Sequence, residues 1–371
     1  MSRSSIATIA FLAMLSCSPA TMAQAQLATV PVGASATAVA FNPVTNKIYV
    51  VGGLGNSLVE VDGLTFETTT ITLQSTGSQV ATAHVAVNPV TNKIYVINVV
   101  SENVAVIDGA THAVSYIATA MSPYALAINL VTNCIYVADF DANMVTVINA
   151  TRNTVKNIAV GTNPSAVAVD NSTNRIYVTN SLSNSVSVIN GSTNAVTNVP
   201  VGDYPTALAV DAEHDKIYVA NTGGNTLTQI TGTTNATETI TVGSYPSHVA
   251  VDSTTNKIYV AFQIPGNIAV VDGAALTTTT VPAGALQNQI VVDEWRNKIY
   301  IADPTGNQLV ILDGLTNTTT EVPGTGSYLW QIAVNPLTNE IYAANLTSSN
   351  ATIFSGPPAK LPLTILDLFH N

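Results

Sequence analysis

The sequence predicts an all-β fold, a single β-propeller of eight four-stranded blades. Three observations predict it. An Ile-Tyr pair recurs eight times at near-constant spacing, each unit holds short apolar runs between turn residues, and the N-terminal end carries an outer-strand sequence that the last unit lacks.

The tyrosines of the recurring pair are Tyr49, Tyr95, Tyr136, Tyr177, Tyr218, Tyr259, Tyr300 and Tyr342, so the intervals are 41 or 42 residues after a first one of 46. Self-similarity at such a period marks a repeat architecture, whose units bury their faces only against one another. The fourth unit shows the pattern: runs at 166–170, 175–179, 185–189 and 195–199, rich in Val, Ile and Thr and bounded by Asn, Gly, Ser or Pro. These are strand signals, and none of the runs has the length or period of a helix. Four antiparallel strands in about forty residues make one propeller blade. The runs are nearly all apolar because both faces of a blade are covered by neighbours. Small Ala40, Ala86, Ala127, Ala168, Ala209, Ala250 and Ala333 recur on the first strand, where crowding at the axis favours them.

Asn42-Pro-Val-Thr-Asn46, Asn88-Pro-Val-Thr-Asn92 and Asn335-Pro-Leu-Thr-Asn339 read as hairpin turns between the first and second strands. Asn tolerates positive φ and bonds to its own backbone, which suits tight turns. An Asn also precedes each third run: Asn56, Asn103, Asn143, Asn184, Asn225, Asn267, Asn307 and Asn350. Val-Gly followed by Pro, as from Val201 to Pro205, carries the chain from the outer edge of one unit to the inner edge of the next.

The eighth unit has three runs and no obvious fourth after Gly356. Ala28-Thr-Val-Pro-Val-Gly33 resembles the end of a fourth strand, Asn198-Val-Pro-Val-Gly202, and is expected to complete the last blade. Closure of this kind removes the open edges that invite aggregation. The propeller is therefore expected over 26–356. The tail 357–371, with apolar residues from Leu361 to Phe369, is read as a strap on the last blade or a docking segment.

Residues 1–25 read as an export signal. Arg3 precedes an apolar run from Ile6 to Leu15, and Ala23-Gln24-Ala25 fits a small-x-small cleavage site. The apolar run is too short to span a membrane, and no other stretch is long enough. Met14-Leu15-Ser16-Cys17 departs from a lipoprotein box, so export to the periplasm or the extracellular space is expected without a lipid anchor. After cleavage only Cys134 remains; on a strand it is expected to pack as a small apolar group. A formal net charge of −11 argues against nucleic acid, because an acidic chain repels phosphate.

Asn174-Arg-Ile-Tyr-Val-Thr-Asn180 and Lys216-Ile-Tyr-Val-Ala-Asn221 resemble the repeat of the YVTN-repeat propellers, which include YncE-like periplasmic proteins and propeller domains of archaeal surface-layer proteins. The resemblance covers about residues 28–356. It implies the propeller fold and a place in the cell envelope. Familiar members have seven blades, whereas this chain shows eight anchors.

The links into each first strand and between the second and third strands open on one end of the channel, and repeat folds gather function on one rim. Eleven residues before each anchor Tyr stand Ala38, His84, Ala125, Ala166, Ala207, His248, Gln289 and Gln331. Units six to eight thus present His248, Gln289 and Gln331 in a row, flanked by Tyr245, Tyr328 and Trp330. Tyr124 and Tyr204 stand near the same level. Aromatic faces beside amides suit a sugar or a peptide; the alternative is that they merely plug the channel mouth. His84 and His248 lie in opposite units, and one zinc, which wants its nitrogens at about 2 Å, is not expected to bridge them. Asp139-Phe-Asp141 offers oxygen ligands for a divalent cation such as calcium, against the commoner solvated loop acids. No other cofactor is indicated. His112 and His214 fall on turns of the opposite rim, where solvation is expected.

Gly-x-Ser-x-Gly, His-Glu-x-x-His and Walker sequences are absent. The expected function is therefore a monomeric, non-catalytic binding or scaffold module with a protein, peptide or glycan at the channel rim. The competing expectation is a lactonase or lyase at the channel mouth that holds a divalent metal with Glu, Asn and Asp; the rim offers hardly any Glu. A quinone-cofactor dehydrogenase would carry a different repeat signature.

Overall fold

The computed structural model describes residues 25–52, 56–73, 84–263, 266–324 and 326–357. The expected export signal and C-terminal tail lie outside these residues, apart from Ala25 and Pro357. The described chain is all β, and none of it forms a helix long and apolar enough to cross a membrane.

The strands form eight four-stranded antiparallel sheets. Blades 1 to 7 occupy 36–72, 85–118, 123–159, 164–200, 205–241, 246–282 and 289–323, each a meander of strands A to D. Blade 8 takes strands A to C from Leu329–Asn335, Glu340–Asn345 and Asn350–Ser355, and strand D from Gln26–Pro31. The N-terminal strand pairs antiparallel with strand C, Ala28 opposite Ile353 and Val30 opposite Ala351. Strands A of successive blades are neighbours around the ring, and that of blade 8 lies against that of blade 1.

The Ile-Tyr pair explains why the blades stack. Adjacent residues on a strand point to opposite faces of the sheet. Each anchor Tyr therefore faces the next blade while the Ile before it faces the previous one. Tyr49 packs with Ile94 and Val96 of blade 2, Tyr136 with Ile176 and Val178 of blade 4, and Tyr259 with Ile299 and Ile301 of blade 7. The series closes with Tyr342 of blade 8 on Ile48 and Val50 of blade 1. All eight anchor tyrosines are at most 1% exposed. An aromatic side chain buries roughly 150–250 Å², so these contacts dominate the interfaces.

The recurring Ala of strand A lies directly opposite the anchor Tyr, as in Ala168 with Tyr177 and Ala250 with Tyr259. Cross-strand partners share one sheet face. A small residue there leaves room for the phenol ring, a reason distinct from crowding at the axis. Blade 7 has Val291 in that place. Strands B and C are buried along most of their length, whereas strand D is mostly exposed and contributes a single aliphatic, such as Ile71, Ile158 or Val199.

Turns A–B and C–D define a lower face, and turns B–C with the D–A links an upper one. On the lower face Asn46, Asn92, Asn133 and Asn174 end turn A–B at positive φ. Their side chains also join blades: Asn42 donates to Asn92 Oδ1 at 2.9 Å, Asn88 to Asn133 at 2.9 Å, Asn129 to Asn174 at 2.9 Å and Asn335 to Asn46 at 2.8 Å. The donor positions in blades 4 to 7 hold Asp170, Asp211, Asp252 and Asp293. Carboxylates only accept, so Asp170 turns instead to Ser172 and Thr173 and Asp293 to Arg296.

Closure ties blade 1 to blade 8 beyond the strand pairing. Val32 N donates to Ser349 O at 3.2 Å, and Ser35 Oγ donates to Leu346 O at 3.2 Å. Val30 and Val32 are buried, and burying one such side chain is worth roughly 1.5–3 kcal/mol. Deleting Leu27 to Gly33 is therefore expected to lower the Tm by at least about 5 °C and to promote aggregation through the freed strand edge. Calorimetry and light scattering check this; an unchanged Tm without aggregation would contradict closure by the N-terminal strand.

Candidate functional site

The upper channel mouth is built from the residue that precedes each strand A. Ser35, Ser122, Asn163, Tyr204, Tyr245 and Tyr328 occupy this place, all with φ between 52° and 63°. The left-handed region costs an ordinary residue roughly 1–2 kcal/mol, least for Asn. Two hydrogen bonds hold the conformation. The amides of Asn163, Tyr204, Tyr245 and Tyr328 donate to Oδ1 of Asn143, Asn184, Asn225 and Asn307 in the preceding blade, at 2.8, 2.9, 2.9 and 2.6 Å. Their carbonyls accept from Ser181, Thr222, Gln263 and Leu346 of their own blade. On blades 3, 4, 5 and 7 the recurrent Asn before strand C is therefore a blade-to-blade clamp.

On blades 5, 6 and 8 the clamp holds a tyrosine. Tyr204 and Tyr245 are exposed, and Tyr328 stacks on Trp330 with centroids 5.8 Å apart and planes 18° off parallel. A second aromatic group stands on blades 2 and 3. Tyr124 lies 6.4 Å from the His84 ring and 5.5 Å from Phe140. Burial raises the phenol pKa of Tyr124, and the Tyr204 phenol adds to the effect. Phe140 stands between the two carboxylates of its loop, and nothing in its sequence pattern marks it as part of an aromatic group.

Surrounding protein lowers the pKa of the half-buried imidazoles of His84 and His248; that of His248 falls to about 4, by burial first and by the charge of His84 second. Each is a neutral ring at neutral pH, able to donate from one nitrogen and accept at the other. His248 Nδ1 lies 3.3 Å from Ser247 Oγ. Among the described residues no three His, Cys, Asp or Glu side chains group as metal ligands.

The two amides differ in their duties. Gln289 Oε1 accepts the Ile332 amide at 2.6 Å, and neighbouring Asn288 donates to Trp330 O at 2.7 Å. Gln289 thus couples blade 7 to blade 8 and fixes the backbone on either side of Gln331. Gln331 itself is half-buried beside Trp330.

Asp139 and Asp141 serve separate bonds. Asp139 is buried, and its Oδ2 accepts from Thr146 N at 3.0 Å and Thr146 Oγ1 at 2.6 Å. Asp141 is exposed and accepts from Ser122 Oγ at 2.5 Å. On the lower face, His112 lies 3.2 Å from Glu60 of blade 1, and His214 lies 2.9 Å from Asp211. Both are half-exposed and paired with carboxylates rather than simply solvated. Cys134 is buried in the interface of blades 3 and 4.

No protein-family model matches the chain, and no curated protein does. Among solved structures, Sqt1 of Saccharomyces cerevisiae is similar, with a TM-score of 0.77 at 12% identity over 91% of this chain and 100% of that one. Identity at that level shows a shared propeller fold and nothing finer.

Asp139 yields a test of its structural role. Its Oδ1 is buried without a partner, and burial raises its pKa to about 6. Blades 4, 5 and 8 hold Asn180, Asn221 and Asn345 in that place, and each donates to the Ser or Thr that corresponds to Thr146. The unfolded carboxyl ionises first as pH rises, so the folded state loses stability between about pH 4 and 6. Asp139→Asn is expected to stabilise the protein by about 2 kcal/mol at pH 8, with the gain vanishing towards pH 4. Denaturant unfolding at both pH values measures this; a destabilised variant, or a gain independent of pH, would contradict it.

Proposed function

We propose that this protein is an exported, non-catalytic propeller of the YVTN-repeat, YncE-like kind that binds a glycan or peptide at its upper channel mouth in the cell envelope. One observation carries the proposal. Tyr204, Tyr245 and Tyr328 sit in left-handed backbone where blades 1, 3 and 4 hold Ser35, Ser122 and Asn163, and the clamps hold them there at a cost in strain. Strain maintained at exposed aromatic residues points to a surface built for contact rather than for stability. Rigid aromatic faces bind at little entropic cost. Around them stand neutral His84 and His248 and the amide of Gln331, which supply donors and acceptors without net charge. Such a surface suits sugar rings or an extended peptide and disfavours phosphate.

The enzyme alternative gains no support from the carboxylates at the rim, since Asp139 is engaged inside its blade and Asp141 at Ser122. Export rests on the leader sequence, and the family relation on the repeated Ile-Tyr-Val-x-Asn.

A glycan and peptide array on the purified protein identifies the ligand class, followed by affinity measurement on Tyr204→Asn, Tyr245→Asn and Trp330→Ala. Each variant is expected to weaken binding by roughly 3- to 10-fold, the worth of one aromatic contact. The two Asn variants should keep or raise the Tm, because Asn tolerates the conformation that Asn163 already adopts. Binding that survives all three changes, or that maps to the rim of His112 and His214, would overturn the proposal.

A further inference from the structure

The lower face is as uneven as the upper one. The tips of turn A–B are Val44, Val90 and Val131 on blades 1 to 3 and Ser172, Glu213 and Thr254 on blades 4 to 6. Blades 7 and 8 present Trp295 and Leu337. Five consecutive blades, 7-8-1-2-3, thus carry exposed apolar tips, and Trp295 is 84% exposed. Trp295 also forms the lip of a cavity of about 550 Å³ on the lower side of blades 6 to 8, walled by Ile290, Val292 and Val334 with Asp293 and Glu294 at its edge. Single exposed aliphatics are ordinary, but apolar tips on five successive blades beside a largely apolar cavity mark a surface that is covered.

The described chain leaves the propeller on this face and within this arc. Strand C of blade 8 ends at Ser355, and Pro357 O accepts from Asn339 Nδ2 at 2.5 Å, in the same turn as Leu337. The residues that follow contain Leu361, Leu363, Ile365, Leu366, Leu368 and Phe369. Fourteen residues, 358–371, reach up to about 46 Å when extended, enough to pass Leu337 and Trp295 and arrive at the cavity. We propose that Leu361 to Phe369 of this same chain cover the arc, running over Leu337 and Trp295 into the lower cavity.

The described chain also begins on this face, where Ala25 N donates to Ser355 Oγ at 3.1 Å, so the test must report on the tail itself. The purified protein carries bimane on Leu366→Cys, with Cys17 and Cys134 changed to Ala. Tryptophan quenches bimane on contact. Quenching that Trp295→Phe relieves at least about 2-fold, that Val44→Glu with Leu337→Glu also relieves, and that is independent of protein concentration is the expected result. All three substitutions fall on exposed turn tips, so folding is not at stake. Removal of 358–371 should raise the binding of an apolar dye. Unquenched bimane, quenching indifferent to Trp295→Phe, quenching lost on dilution as for a tail seated on a second copy, or dye binding unchanged by truncation would each overturn the proposal.

Discussion

The contact between the anchor Tyr of one blade and the Ile of the next is the interaction on which this molecule depends. Tyr and Ile are adjacent in sequence and face opposite sides of one sheet, so each pair commits its blade to two neighbours at once. A blade with both faces apolar has no stable form in water by itself. The chain of contacts must therefore return to its start, and it does so where Tyr342 packs on Ile48 and Val50. Pairing of the N-terminal strand with strand C of blade 8 gives that return a covalent route through both ends of the described chain. A break at this seam exposes two apolar faces rather than one loop.

Equal packing units leave the two rims free to differ. The interior repeats with little change: Ile, Tyr and a small partner for the Tyr ring. The upper rim does not, because the left-handed position before strand A holds Ser, Asn or Tyr, and on blades 4, 5, 6 and 8 an Asn oxygen of the preceding blade secures it. The same clamp that fixes Asn163 without much strain fixes Tyr204, Tyr245 and Tyr328 at a cost. Variation at this one position is how this ring acquires an aromatic surface without disturbing its core. The lower rim varies in parallel: Asn-to-Asn bonds join blades 8 through 4 and give way to Asp-centred turns beyond.

Eight blades and closure by the N-terminal strand were legible in the sequence, because both follow from a spacing and from a missing run. Which residues lie on the upper rim was also legible from their offset to the anchor Tyr. What each one does there was not. The packing of Tyr124 between His84 and Phe140 joins blades 2 and 3 and is a property of the stacked blades and of no local segment. Gln289 reads as a free amide in sequence, yet its oxygen belongs to Ile332 of the next blade, a partner 43 residues away. Phe140 gave no signal because its neighbours Asp139 and Asp141 looked more like chemistry. The recurrent Asn before strand C was visible as a repeat, but its acceptor role needs the next blade in place.

The central claim is that the seam between the N-terminal strand and strand C is as strong as any other part of the ring, so that eight blades behave as one body. Native-state hydrogen exchange tests it most directly. Amides of Val30 and Val32, on the side of the N-terminal strand that faces strand C, are to be compared with those of Tyr177 and Val178 in the middle of blade 4, on the far side of the ring. Closure predicts that both sets exchange only through global unfolding, with opening free energies equal within about 1 kcal/mol. Seam amides that open several-fold more readily, through local fraying that leaves blade 4 protected, would contradict it.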